Sequence, residues 1–262
     1  MKEMFLRALR WLLARPSYML LAANDDRLAG RPPRRSRFAW CGVLGLSLAW
    51  GAALAGLWAA MAAVFGEAYT GLPLIPALSV VLAMTLWLYR CAVLSLAEAL
   101  VGTANRPLGV CVVVVSLLVA AVGVGRWTSP SLYLPVWLQW MQPYPRYRVI
   151  ILAPVWGAWS MLVTCQFRKP SADTEPAVVS LAKGAGPIST TVSMGALMAW
   201  TLWWFSFLPW LRLLVPAVTV VAAIVGGSLL CRRAGGLRRS ALLANNVLTQ
   251  FVFWMSYLAA CR

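Results

Sequence analysis

The residues best suited to chemistry form a basic stretch near the end of the chain, residues 232–240, which we call the elbow. Two arginine pairs enclose a double glycine, and a serine follows. The elbow contains Arg232, Arg233, Gly235, Gly236, Arg238, Arg239 and Ser240. Guanidinium groups bind phosphate oxygens in a bidentate manner, and backbone N–H groups before a helix can face an anion. The pattern is consistent with a phosphate-binding turn, while composition alone favours topogenic charge around a plain turn.

Polar side chains continue into the apolar run that follows the elbow. They are Asn245, Asn246, Thr249 and Gln250. Residues three and four positions apart share a helical face, so Asn246 lies on the same face as Thr249 and Gln250. In a membrane helix, such side chains either line a polar site or hydrogen-bond to neighbouring helices. The spacing allows both.

Glu98 is the one acidic residue within an apolar stretch of the sequence. An ionisable group at membrane depth is energetically expensive, and it therefore marks a candidate functional site. The alternative is an interfacial position in which Glu98 is solvated or paired with Arg90 or Arg106. Residues 90–104 accordingly either re-enter the membrane or lie at its surface.

Other acids and cysteines offer weaker candidates. Two acidic clusters, Asp25-Asp26 and Asp173-Thr174-Glu175, could hold Mg²⁺ or be solvated loop charges. The chain has no histidine, which excludes imidazole acid–base chemistry and imidazole metal ligands. Its six cysteines are scattered without a C-x-x-C motif, so we expect them to behave as small apolar residues.

Composition places the chain in a membrane. Hydrophobic residues make up 61% of it and charged residues 11%, whereas about a quarter of a soluble domain is charged. We predict an all-α, polytopic integral membrane helical bundle with six to seven transmembrane helices, since about 20 apolar residues cross a bilayer. Residues 38–262 form one membrane domain. The predicted spans are 38–65, 72–89, 108–125, 149–167, 188–208, 211–231 and 241–260.

The amino-terminal segment and the loop charges indicate orientation. Residues 1–37 predict an amphipathic interfacial helix followed by a basic linker. The net charge of +16 comes from basic residues that lie mostly between apolar runs, which favours a topological role over nucleic-acid binding. Alternate loops carry eighteen Lys and Arg residues on one side and five on the other. By the positive-inside rule, the amino terminus, Glu98 and the elbow lie on the cytoplasmic side of the membrane.

Several short stretches occur in a characteristic order along the whole chain. They are Leu12-Leu13-Ala14-Arg15-Pro16, Trp40-Cys41-Gly42-Val43-Leu44-Gly45, Leu152-Ala153-Pro154-Val155-Trp156-Gly157, Phe167-Arg168-Lys169-Pro170, the elbow, and Asn246-Val247-Leu248-Thr249-Gln250. This order resembles the cobalamin synthase family, the membrane adenosylcobinamide-GDP ribazoletransferases. The acidic motif of that family aligns with residues 92–102, where Leu96, Ala97 and Gly102 match and Glu98 takes the place of the middle acid.

The resemblance implies a function and a set of site residues. The family joins α-ribazole, or its 5′-phosphate, to adenosylcobinamide-GDP and releases GMP. The partners implied are therefore the lipid bilayer, a corrinoid-GDP and a ribazole, and the cofactor implied is Mg²⁺ if catalysis is retained. By the same resemblance, Glu98 would be the catalytic residue and a tentative metal ligand. Substrate would be bound by Arg106, Arg168, Gly235, Gly236, Arg238, Arg239, Ser240 and Asn246.

The departures from the family pattern leave two functions open. Leu94, Val101 and Ser240 stand where the family has acids. The chain is then either a divergent transferase or a catalytically degenerate paralogue that acts as a membrane scaffold or corrinoid-binding protein. A transporter or channel is disfavoured, because the sequence shows no inverted repeat.

Overall fold

The computed structural model describes residues 39–65, 73–126, 145–168, 170, 174–205 and 213–260. Within these ranges the chain is helical, which confirms the predicted all-α class, and two residues pair in an isolated β-bridge, Pro170 with Leu237. The helices are α1 (Ala39–Phe65), α2 (Leu74–Leu82), a π-helical segment (Ala83–Leu88), α3 (Arg90–Val101), α4 (Arg106–Arg126), α5 (Pro145–Phe167), α6 (Pro176–Gly184), α7 (Pro187–Trp204), α8 (Leu214–Arg233) and α9 (Arg239–Ala260). The predicted interfacial helix and linker, together with Asp25, Asp26 and Asp173, lie outside the described residues.

A helix occupies each of the seven predicted spans. By length and composition, four of the described helices can cross a membrane, namely Trp40–Phe65, Arg106–Arg126, Pro145–Phe167 and Leu214–Arg233. The segments Leu74–Leu86 and Arg90–Val101 together would make a fifth, broken span, because they meet at an angle of 84°. Helix α9 is not one of these four, because polar residues such as Asn245 and Gln250 lower its mean hydropathy.

Helices α5 and α9 form the centre of the bundle. In the most apolar stretch of α5, 89% of the residues are buried inside the protein. The corresponding share in α1 is 22%, so α1 is peripheral. Helix α9 packs against α5, α8 and α3, and α5 packs in addition against α1 and α7. The indole N–H groups of Trp156 and Trp159 donate to Thr201 Oγ1 and to the Thr190 carbonyl, both at 3.1 Å, and thereby tie α5 to α7.

Helix α5 begins earlier than the sequence indicated, at Pro145 instead of 149. Arg148, which the charge pattern placed in a loop, is therefore in its first turn, where it is only 5% exposed. Its guanidinium donates to the Trp204 carbonyl at the end of α7. A cation at the carboxyl end of a helix interacts favourably with the helix dipole. Arg148 therefore stabilises the end of α7 and joins it to α5.

Glycines allow the central helices to approach closely. A Cβ atom on Gly51 of α1 would lie 2.8 Å from Cα of Ile151 in α5. A Cβ on Gly157 of α5 would lie 2.8 Å from Asn246 Oδ1. Real Cβ atoms do not come this near to other heavy atoms, so these positions require glycine. Small residues are the usual means by which membrane helices make close contact.

We predict that Gly51→Ala separates α1 from α5. The added methyl group meets the rigid backbone of Ile151, and overpacking of this kind costs about 1–3 kcal/mol. Thermal unfolding of the purified protein in detergent should therefore begin at a lower temperature. Gly56→Ala is the matched control, since it lies in the same helix and its Cβ would meet nothing within 4 Å. Equal unfolding midpoints for the two variants would contradict the prediction.

Candidate functional site

The elbow begins as the carboxyl-terminal cap of α8. The Gly236 N–H donates to the Cys231 carbonyl at 2.9 Å, and the Gly235 N–H donates to the Arg232 carbonyl at 3.2 Å. Gly235 has φ +73°, the left-handed conformation that glycine adopts most readily. This pair of bonds around a left-handed residue is the Schellman motif. Both glycine N–H groups thus satisfy α8 carbonyls, so neither is a free donor for an anion.

The second half of the elbow is held by Pro170, Thr174 and Glu175. Leu237 is fully buried and pairs with Pro170, and its carbonyl accepts a hydrogen bond from Thr174 Oγ1 at 2.9 Å. Glu175 Oε2 accepts from the Arg239 N–H at 3.3 Å. A carboxylate at the first residue of α9 interacts favourably with the positive end of that helix. Glu175 therefore has a structural partner.

The elbow also touches the helix that carries Glu98. Arg233 Nη1 donates to the Ala99 carbonyl at 2.6 Å, and Glu98 Oε1 forms an ion pair with Arg106 Nε at 3.1 Å. Of the two partners considered for Glu98, the structure thus selects Arg106. The pair is partly open to solvent, with side chains 34% and 46% exposed for Glu98 and Arg106, so it contributes at most about 1 kcal/mol. Glu98 and the elbow lie at one end of the bundle.

The cations at this end make a basic surface, which we define as Arg106, Arg232, Arg233 and Arg238. All four are exposed. Ser240 is also exposed, whereas Arg168 and Arg239 are half-buried. The described part of this end contributes two carboxylates, those of Glu98 and Glu175, so positive charge dominates. Such a surface binds phosphate groups well, because guanidinium donors match phosphate oxygens.

Asn246 lies in the interior, apart from the basic surface. It is 3% exposed; its Nδ2 contacts Met161 Sδ at 3.7 Å, and its Oδ1 accepts from Gln250 Nε2. Asn245 donates through Nδ2 to the Ala223 carbonyl at 2.9 Å and to Thr164 Oγ1 at 3.0 Å. Asn245 therefore hydrogen-bonds α9 to α8 and α5, as the interhelical interpretation expects.

The described residues do not fit a magnesium site. No group of three or more histidine, cysteine, aspartate or glutamate side chains comes together among them. Glu98 is paired with Arg106, and Glu175 accepts from the start of α9. Mg²⁺ needs oxygen ligands in octahedral order, usually with one or two carboxylates that are free to coordinate it.

Sequence reasoning missed three residues that organise this end of the bundle. The sequence predicted Arg233 only as one of the phosphate-binding arginines of the elbow. It predicted Thr174 and Glu175 only as parts of an acidic cluster that holds Mg²⁺ or is solvated. Their roles depend on contacts with residues that lie 63 to 134 positions away in the chain. No local pattern signals such contacts.

The chain matches no protein-family model, no curated protein and no solved structure.

We predict that Gly235→Ala destabilises the elbow. A left-handed backbone conformation costs an alanine about 1 kcal/mol of stability. Gly235→Asn should lose less stability, because asparagine tolerates this conformation better. Gly195→Ala is the control, since Gly195 is exposed within α7 and its Cβ would meet nothing within 4 Å. Chemical unfolding in detergent measures the order of stability. Equal losses of stability in Gly235→Ala and Gly195→Ala would refute the conformational role of Gly235.

Proposed function

We propose that the protein is a cobalamin-synthase-like membrane protein that binds a phosphate-bearing corrinoid ligand at its basic surface and does not catalyse the family reaction. The observation that carries this proposal is the engagement of both described carboxylates. Glu98 is paired with Arg106, and Glu175 accepts from the start of α9. The order of the sequence landmarks supports the family assignment.

The chemistry of the transfer explains why engaged carboxylates matter. An oxygen of ribazole would attack a phosphorus atom of the diphosphate, and GMP would leave with the electrons of the broken P–O bond. Charge on the phosphate oxygens builds up during such a step and is normally neutralised by metal ions held on carboxylates. Here, cationic side chains remain without a metal-binding counterpart in the described residues. That combination suits binding of a diphosphate better than its cleavage.

Ligand binding would involve the exposed arginines. Arg238 and Arg232 are exposed next to the cap of α8, and Arg106, also exposed, meets Glu98 through its Nε. Arg239, Arg168 and Ser240 would add donors around the same group. Gly235 and Gly236 would contribute through the shape of the turn, since their N–H groups are engaged.

The divergent transferase is the alternative, and one contact favours it. Arg233 reaches the Ala99 carbonyl and thereby brings the Glu98 helix to the elbow, as a shared catalytic site requires. In this alternative, Glu98 would leave Arg106 and accept the proton of the attacking hydroxyl group.

We predict that the detergent-solubilised protein binds adenosylcobinamide-GDP equally well with and without EDTA, because arginines hold the phosphates. Arg238→Gln should weaken binding about tenfold, the effect of a lost charge-assisted hydrogen bond. Lys183→Gln is the control, since Lys183 is an exposed cation on α6 that does not belong to the basic surface. Titration calorimetry measures both variants.

The outcomes of that experiment separate the two functions. GMP release in the presence of Mg²⁺ and α-ribazole, abolished by Glu98→Gln, would establish the transferase instead. Absence of binding to the wild-type protein would contradict both functions.

The location that we propose is the bacterial cytoplasmic membrane, with the amino terminus and the elbow in the cytoplasm. The bias of Lys and Arg residues between alternate loops supports it. With the seven spans predicted from the sequence, the carboxyl terminus would lie outside. We predict that alkaline phosphatase fused after Arg262 is active and that green fluorescent protein fused there is dark. The reverse pattern would contradict the proposed orientation.

A further inference from the structure

The outward face of α8 ends in an arginine. Helix α8 is long and apolar enough to cross a membrane, and its inner face packs against α9 and α5. The outward face carries large exposed side chains at intervals of three and four residues, the spacing of a single helical face. We call this row the α8 stripe, and its members are Val218, Val221, Val225, Leu229 and Arg232.

The apolar part of the α8 stripe is suited to contact with acyl chains. Val221 is 60% exposed and Leu229 is 54% exposed, although both lie in a helix with the length and hydropathy of a membrane span. In such a helix, outward apolar side chains face lipid tails. An arginine at the end of the row can keep its methylene stem on the apolar surface while its guanidinium reaches the polar headgroups. Arg232 has this position.

The helix itself does not require the guanidinium of Arg232. Basic side chains near the end of a helix often hydrogen-bond to its last carbonyls. In α8, backbone N–H groups of the elbow already do so. The Gly236 N–H donates to the Cys231 carbonyl, and the Gly235 N–H donates to the Arg232 carbonyl. The exposed guanidinium of Arg232 is therefore available for a ligand.

The charge around Arg232 favours an anionic ligand. Arg233, the next residue, is also exposed, and it donates to the Ala99 carbonyl, a neutral group that leaves the charge of Arg233 in place. Both carboxylates described at this end of the bundle are already engaged. Two adjacent guanidinium groups match the oxygens of a phosphate, and basic residues at the membrane surface attract anionic lipids.

We propose that the α8 stripe binds an anionic phospholipid from the leaflet that surrounds this end of the bundle. One acyl chain lies along Val221, Val225 and Leu229, and Arg232 holds the phosphate group with Arg233 beside it. A soluble phosphate ester would use the arginines alone. The alignment of Arg232 with an exposed apolar row selects a ligand that has both a phosphate and a tail.

This lipid site does not rest on the function proposed above. It requires Arg232 and the apolar residues of the stripe, and it leaves Arg106 and Arg238 to a ligand from the aqueous phase. Arg238→Gln, which should weaken the binding of adenosylcobinamide-GDP, should therefore leave lipid binding unchanged. Failure of one proposal is thus distinguishable from failure of the other.

Native mass spectrometry of the detergent-purified full chain tests the lipid site. Dioleoylphosphatidylglycerol should form a one-lipid complex at a lower concentration than dioleoylphosphatidylcholine, which has the same tails and no net charge. Arg232→Gln should raise the Kd for the anionic lipid about fivefold, the effect of one cation near a membrane surface. Arg126→Gln is the matched control and should leave the Kd unchanged, since Arg126 is an exposed arginine at the opposite end of α4 from Arg106.

Three results would overturn the proposal. The first is equal affinity of the wild-type protein for the two lipids, a comparison that needs no variant. The second is a Kd that Arg232→Gln changes no more than Arg126→Gln does. The third is displacement of the anionic lipid by an equal concentration of glycerol 3-phosphate, because the arginines would then bind a phosphate ester without its tails.

Discussion

The close contact of α9 with α5 and α8 is the constraint on which the rest of the structure depends. Lipid tails are as apolar as leucine side chains, so the hydrophobic effect does not drive these helices together, and close packing and hydrogen bonds must do so. Gly227 and Gly157 provide the space. The Asn245 amide lies beside Gly227 and donates to both neighbouring helices, and Asn246 lies beside Gly157. Polar residues that look out of place in an apolar run are therefore what assembles the bundle.

This contact also fixes the elbow. Helix α8 must reverse into α9 within a few residues, because the two helices lie side by side. The left-handed Gly235 makes the reversal possible, and the buried Leu237 anchors it to residues 170 and 174. The arginines are then exposed because the turn directs its apolar residue inward. A basic surface follows from the packing requirement, and phosphate binding would use a shape that the fold already needs.

The two carboxylates of the described residues show how context changes chemistry. Glu98 in isolation suggests a catalytic acid or a metal ligand, and Glu175 a loop charge. In the folded protein, one faces Arg106 and the other the first N–H of α9. Each therefore has one carboxylate oxygen engaged by a partner within the protein. The excess of arginine over carboxylate at this end then favours binding of an anionic ligand.

The sequence by itself determined the helical class, the positions of the apolar helices and the grouping of cations between them, because hydropathy and charge are local properties of the chain. It also indicated a turn at the double glycine. Tertiary structure alone decided that Glu98 pairs with Arg106, that Arg233 joins α8 to α3, that Arg148 is buried against α7, and that Asn246 lies away from the basic surface. Those outcomes depend on which helices become neighbours and on their rotation about their axes. Nearly uniform apolar composition leaves both of these undetermined until small residues and buried amides select one packing.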